Sequence, residues 1–121
     1  MEQILVVDDD IDILDALQCV LEDAGYSVKT CKDGGHAERL ADAPALPKLI
    51  ILDVLLSGKD GREICRKLKR NERTKGVPIV MISAHPTARK SVIASGANKF
   101  IPKPFDLTNL LNTVSTEISA S

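Results

Sequence analysis

Short apolar runs and longer periodic stretches take turns along this chain. Residues 3–7 form a run that reads as a fully buried strand, and it ends in three aspartates, Asp8, Asp9 and Asp10. Ile13, Leu14, Leu17, Val20, Leu21 and Ala24 then recur at helical spacing, and Gly25 is placed to stop that helix. Residues 27–31 read as a weaker strand. Residues 32–43, KDGGHAERLADA, read as a short helix with Asp33 as its cap, and Pro44 and Pro47 close the loop that follows. A second continuous apolar run, 49–52, ends on Asp53. A third helix is expected over 61–70 with Ile64, Cys65 and Leu68 inward. A third apolar run covers 77–82, with Pro78 near its start. A helix over 87–95 stops at Gly96, and 98–101 supply the last strand. Asp106 caps a final helix with the stripe Leu107, Leu110, Leu111, Val114 and Ile118, and a polar tail, TEISAS, is expected after it.

Strand and helix therefore alternate five times. Strands that are apolar throughout belong to parallel sheets covered on both faces. Right-handed crossovers then give a doubly wound sheet, whose ligands bind at the carboxyl ends of the strands. Those ends carry Asp8 and Asp9 on the first strand, Asp53 on the third and Ser83 on the fourth, with Lys103 after the fifth. Carboxylates about 5 Å apart repel by about 3 kcal/mol at an effective dielectric of about 20. Lys103 offsets part of this. Mg²⁺, a hard cation that accepts oxygen ligands and shares them with phosphates, would offset more. A carboxylate such as Asp53 can attack phosphorus, with Lys103 and Ser83 steadying the transferred group. Asp10 or Asp12 has a separate expected task, starting the first helix.

Composition narrows the classes. The 121 residues suit one domain, expected to span 1–121, with 44% hydrophobic and 27% charged residues. A formal net charge of −1 offers no basic excess for nucleic acid, and 2% aromatic content offers no stacking platform. No apolar run reaches the roughly 20 residues of a membrane span, and Met1–Glu2 opens no signal-peptide pattern. Cytoplasm is the expected location. Cys19, Cys31 and Cys65 form no metal or disulfide pattern and are expected to pack. His36 is expected on a solvated helix face, and Arg62, Arg66, Lys67, Lys69 and Arg70 on another.

Four stretches, ILVVDDD, LIILDVLLSGKDG, VPIVMISA and NKFIPKPF, resemble the receiver domain of bacterial two-component response regulators, in the same order and over nearly the whole chain. The expected fold is α/β: a doubly wound, flavodoxin-like, five-stranded parallel sheet in strand order 2-1-3-4-5 with five helices. The resemblance implies that Asp53 accepts a phosphoryl group from a histidine kinase or a histidine phosphotransfer protein. It implies that Asp8, Asp9, Asp53 and the backbone carbonyl of Leu55 bind Mg²⁺. Ser83 matches the switch hydroxyl, Lys103 the phosphoryl-binding lysine and Phe100 the switch aromatic, and the Lys103–Pro104 peptide is expected to be cis. Leu55 and His85 flank the site and are expected to modulate the rate at which phosphate is lost.

The chain departs from the family at Ser57, where proline is common, so the loop there is expected to be less fixed. Ser83 replaces the commoner threonine and Phe100 the commoner tyrosine. The helix between Ser83 and Lys103 is expected to be short. The expected product is a signalling switch rather than an enzyme, monomeric or weakly dimeric when phosphorylated. It is expected to act on an unidentified protein target, without direct nucleic-acid or membrane contact, as a stand-alone receiver or one cut from a longer regulator or hybrid kinase. The alternatives are a Mg²⁺-dependent aspartyl-phosphate phosphohydrolase, which would want an acid where Leu55 stands, and a flavodoxin-like nucleotide or flavin binder, whose phosphate DDDID would repel.

Overall fold

The computed structural model describes residues 3–56 and 58–120. Met1–Glu2, read above for a signal peptide, and Ser57, the departure from proline, lie outside them. The strands are β1 (Ile4–Val7), β2 (Val28–Cys31), β3 (Leu49–Asp53), β4 (Leu55–Leu56), β5 (Lys59–Asp60), β6 (Ile79–Ser83) and β7 (Lys99–Pro102). The helices are α1 (Ile11–Asp23), α2 (Gly34–Glu38), α3 (Gly61–Arg70), α4 (Arg89–Ala94) and α5 (Leu107–Ala120), and single 3₁₀ turns follow α2 and precede α4. Five strands form one parallel sheet, ordered β2-β1-β3-β6-β7. This is the 2-1-3-4-5 order expected, because β4 and β5 form a separate antiparallel hairpin. The hairpin was not anticipated. Its sequence signal is the Ser57–Gly58 step, and Gly58 has φ +73°.

Strand side chains alternate between two cores. Ile4, Val6, Leu49, Ile51, Val80, Ile82 and Ile101 face α1 and α5 through Leu14, Leu17, Leu21, Leu110 and Val114. Leu5, Val7, Ile50, Leu52, Ile79 and Met81 face the other way, onto Ala37, Ile64, Cys65, Leu68 and Val92. Burial on both faces explains why the strand sequences lack polar alternation.

Aspartates start four of the helices. Asp10 accepts from the Asp12 amide at 2.9 Å, Asp33 from Gly35 at 2.8 Å, Asp60 from Arg62 at 2.9 Å and Asp106 from Thr108 at 2.8 Å. α4 begins at Ala88 with no side-chain cap, and it is short, as its sequence led us to expect.

Several expectations need correction. Cys65 is buried in the core and Cys31 is partly buried and packs against it, as expected, but Cys19 is exposed. His36, within α2, is partly buried, because Leu40 and the loop 43–47, which follow it, line the same cleft, together with Leu5. Leu107 is 44% exposed, because it occupies the first turn of α5 before that helix reaches the sheet. The TEISAS stretch is no tail: α5 runs through it to Ala120.

Gly61 carries the tightest packing restraint. Its amide donates to the Val54 carbonyl at 2.7 Å, and a Cβ built there would lie 2.1 Å from the Asp53 carbonyl oxygen. Backbone must move to admit any side chain. Gly61→Ala is therefore expected to destabilise the fold by about 2 kcal/mol or more, read as a drop of several degrees in thermal midpoint. An unchanged midpoint would show that α3 does not press on the end of β3.

Candidate functional site

Four strand ends and one loop supply the site. β1 ends at Val7 and delivers Asp8, whose amide donates to the Cys31 carbonyl at 3.1 Å, continuing the ladder. Asp8 is 0% exposed, and one of its carboxylate oxygens accepts from the Asp10 amide at 2.9 Å. This turn swings the chain from strand to helix and leaves Asp9 exposed. β3 ends at Asp53, 6% exposed, and Val54 then donates to the Ile82 carbonyl at 3.0 Å. β6 ends at Ser83, 2% exposed, whose hydroxyl oxygen accepts from the His85 amide at 3.0 Å. The Lys103 amide donates to the Ser83 carbonyl at 2.8 Å, and the Lys103–Pro104 peptide is cis.

Carboxylate oxygens of Asp8, Asp9 and Asp53 lie within 4.8 Å of one another. The Lys103 ammonium reaches Asp8 Oδ2 at 3.0 Å and Asp53 Oδ1 at 3.1 Å. One cation thus faces three acids. Burial first, then the charge of Asp8, holds the Asp53 carboxyl up at about 6, against the pull of Lys103. Burial disfavours the Lys103 charge, but the Asp8 hydrogen bond and the charges of Asp53 and Asp8 overcome it and raise its pKa. The donor set is all oxygen, compact and under-neutralised, which fits a small hard divalent cation. Leu55, on β4, stands two residues beyond Asp53, and its side chain is 52% exposed.

His85 is exposed beside Ser83. Phe100, on β7, is 7% exposed and packs in the same core as Ala88, Val92 and Ala97, with the Arg89 guanidinium 5.0 Å from its ring centre. The structure therefore gathers Asp8, Asp9, Asp53 and Lys103 into one cluster. Ser83 is joined to it through the strand end, and Phe100 lies in the adjoining core.

Two features of the surroundings escaped the sequence. Arg62 holds both oxygens of Asp60, at 2.9 and 2.8 Å, and also reaches Ser91 on α4 at 3.0 Å. Glu38 holds Lys59 at 2.7 Å and Lys67 at 2.8 Å. Arg62 with Ser91, and Glu38 with its two lysines, join residues distant in the chain, which no local spacing reveals. The basic face of α3 is thus partly engaged rather than wholly solvated.

The family model described as "response regulator receiver domain" matches residues 4–115. The chain is 38% identical over 116 residues to the DNA-binding dual master transcriptional regulator RpaA of Synechocystis, covering 94% of this chain and 48% of that protein. It spans half or less of the curated relatives it matches first. Among solved structures it resembles the receiver domain of NtrX from Brucella abortus, at TM-score 0.86 and 34% identity over 98% of this chain and 99% of that one. It also resembles the receiver domain of the sensor histidine kinase PA1611 from Pseudomonas aeruginosa, solved with magnesium in its active-site cleft. There the TM-score is 0.88 at 27% identity, covering 98% of both chains. Sequence, strand order and the acid cluster agree, and the chain belongs to the response regulator receiver domain family.

Proposed function

We propose that this receiver is a Mg²⁺-dependent phosphoacceptor switch, charged on Asp53 by a histidine kinase or a histidine phosphotransfer protein. The observation that carries the reading is the cluster of Asp8, Asp9 and Asp53 with Lys103 against two of the three. The metal would be held by Asp8, Asp9, Asp53 and the Leu55 backbone carbonyl, and it would neutralise phosphoryl oxygens as they approach the acids. The magnesium in the cleft of the PA1611 receiver supports this assignment.

Asp53 presents the nucleophile. A carboxylate oxygen attacks the phosphorus of a phosphoimidazole; the P–O bond forms as the P–N bond breaks, and the imidazole departs. Lys103 moves its contact from the Asp53 carboxylate to the phosphoryl oxygens. Ser83 accepts from His85 and keeps its own hydroxyl proton to donate. Phosphorylation replaces the −1 of the carboxylate with about −1.5 to −2 on the phosphoryl group, a net gain of roughly −0.5 to −1, if it ionises as other phospho-residues do. Drawing Ser83 toward the new oxygens shifts the balance between two placements of Phe100, one of which is the inward one seen here. The α4, β7 and α5 face then changes for a protein target.

Ile11, Leu55 and Leu107 are 53%, 52% and 44% exposed, and each lies within a few residues of a site side chain. They suit the apolar contacts of a docking phosphodonor. Leu55 also places no carboxylate two residues after Asp53, so general phosphomonoester turnover lacks its acid. The site works as a cytoplasmic signalling element, without nucleic-acid or membrane contact of its own. It is monomeric or weakly dimeric when phosphorylated. It belongs either to a stand-alone receiver occupying the chain from 1 to 121 or to a longer regulator.

With Mg²⁺ and acetyl phosphate, wild-type protein is expected to gain one phosphoryl group by mass spectrometry, and Asp53→Asn none. Lys103→Met should slow the reaction by about 100-fold. Modification of Asp53→Asn at the wild-type extent would remove Asp53 from its role.

The raised Asp53 pKa sets a pH dependence. The folded state keeps a proton between about pH 4 and about 6 that the unfolded chain releases, so metal-free protein loses stability as pH rises through that window. Mg²⁺ requires the carboxylate, so its affinity moves oppositely. Stabilisation by Mg²⁺ in thermal melts should be larger at pH 7.5 than at pH 5.5, and Asp53→Asn should flatten both trends. A pH-independent Mg²⁺ effect in wild type would contradict this.

Leu55 and His85 restrict water at the phosphoryl group. Leu55→Ala should shorten the phospho-lifetime by at least about threefold, or ~0.7 kcal/mol in barrier. An unaltered lifetime would assign the restriction elsewhere.

A further inference from the structure

The β4–β5 hairpin rises between Asp53 and α3, and Leu55 is its first residue. Leu55 pairs with Asp60 and Leu56 with Lys59. Two rungs do not hold a hairpin in place by themselves. Asp60 is fixed as the cap of α3. The other end of the short ladder is fixed from α2. There Glu38, with its side chain 20% exposed, receives Lys59 of the hairpin on one oxygen at 2.7 Å and Lys67 of α3 on the other at 2.8 Å. Both lysines hold the Glu38 carboxyl down at about 2, so the anchor stays charged at any working pH.

Apolar packing backs the ion pairs. A Cβ built on Gly34, one turn earlier in α2, would lie 2.7 Å from Ile64 Cδ1, 3.0 Å from Leu56 Cδ1 and 3.2 Å from Lys59 Cδ. The α2 backbone therefore lies directly against the hairpin, and Leu56 is buried there at 6% exposure.

We propose that Glu38 is a positioning residue for the metal site: through Lys59 it seats the hairpin on α2 and so sets where the Leu55 carbonyl lies. The inference rests on the Mg²⁺ reading given above. Partly exposed ion pairs contribute little to stability, so the role is geometric rather than a matter of holding the fold together.

Lys67 supplies the control, because it pairs with the same carboxylate but lies outside the hairpin. The test is calorimetric titration with Mg²⁺ at fixed ionic strength on wild type, Glu38→Gln, Lys59→Met, Lys67→Met and the Glu38→Gln/Lys59→Met double variant. Thermal melts establish that each is folded. Glu38→Gln and Lys59→Met are each expected to weaken Mg²⁺ binding by roughly three- to tenfold, less than loss of a group bonded directly to a ligand. The double variant should be no weaker than either single one, and Lys67→Met should bind as wild type does.

Simple charge effects predict another pattern, since removing Glu38 would weaken a cation's binding while removing Lys59 would strengthen it. Tighter binding by Lys59→Met, or wild-type binding by Glu38→Gln, overturns the positioning role alone. Failure of the wild-type protein to bind Mg²⁺ overturns the metal site and this role together.

Discussion

A single ammonium set between two buried carboxylates, with a third acid at hand, governs this structure. Lys103 neutralises Asp8 and Asp53 only in part, and Asp9 adds more negative charge to the same few ångströms. At these separations each like-charged pair costs roughly 3 kcal/mol. The molecule tolerates that cost because the three central strands, β1, β3 and β6, bury apolar side chains along their length up to those ends. The surplus negative charge is what suits this rim to a hard divalent cation.

Topology does the gathering. β1 and β3 are neighbours, as are β3 and β6, and β6 and β7, all running the same way, so their ends fall on one edge. Asp8 reaches the edge by bonding the Asp10 amide, and Asp10 in turn starts α1. One acidic triplet thereby serves the site, the turn and the helix. Gly61 lets α3 begin against the Asp53 carbonyl, which fixes the strand end from the opposite side.

Much of this was readable in the sequence, and the reason is local. Buried parallel strands show as unbroken apolar runs, and Asp33, Gly61 and Asp106 mark helix starts through neighbours a few residues away. Asp8, Asp53 and Lys103 could be brought together on paper because strand order brings them together. What stayed hidden depends on pairs distant along the chain. Glu38 with Lys59, and Arg62 with Ser91, have no periodicity. His36 looks solvated in the sequence because nothing local shows that the loop 43–47 closes beside its helix, and Leu107 looks buried because a stripe does not reveal where a helix meets the sheet.

α4 has six residues and no side-chain cap at its start. A helix of that length does not persist in water on its own. Its order is borrowed: from Val92 in the core, from Ser91 under Arg62, and from Arg89 lying over Phe100. Loans of this kind are each small, so the segment sits at the low end of local opening free energies, well below global unfolding. A perturbation of only a few kcal/mol is therefore commensurate with opening this element, while the sheet beneath, buried on both faces, would stay as it is.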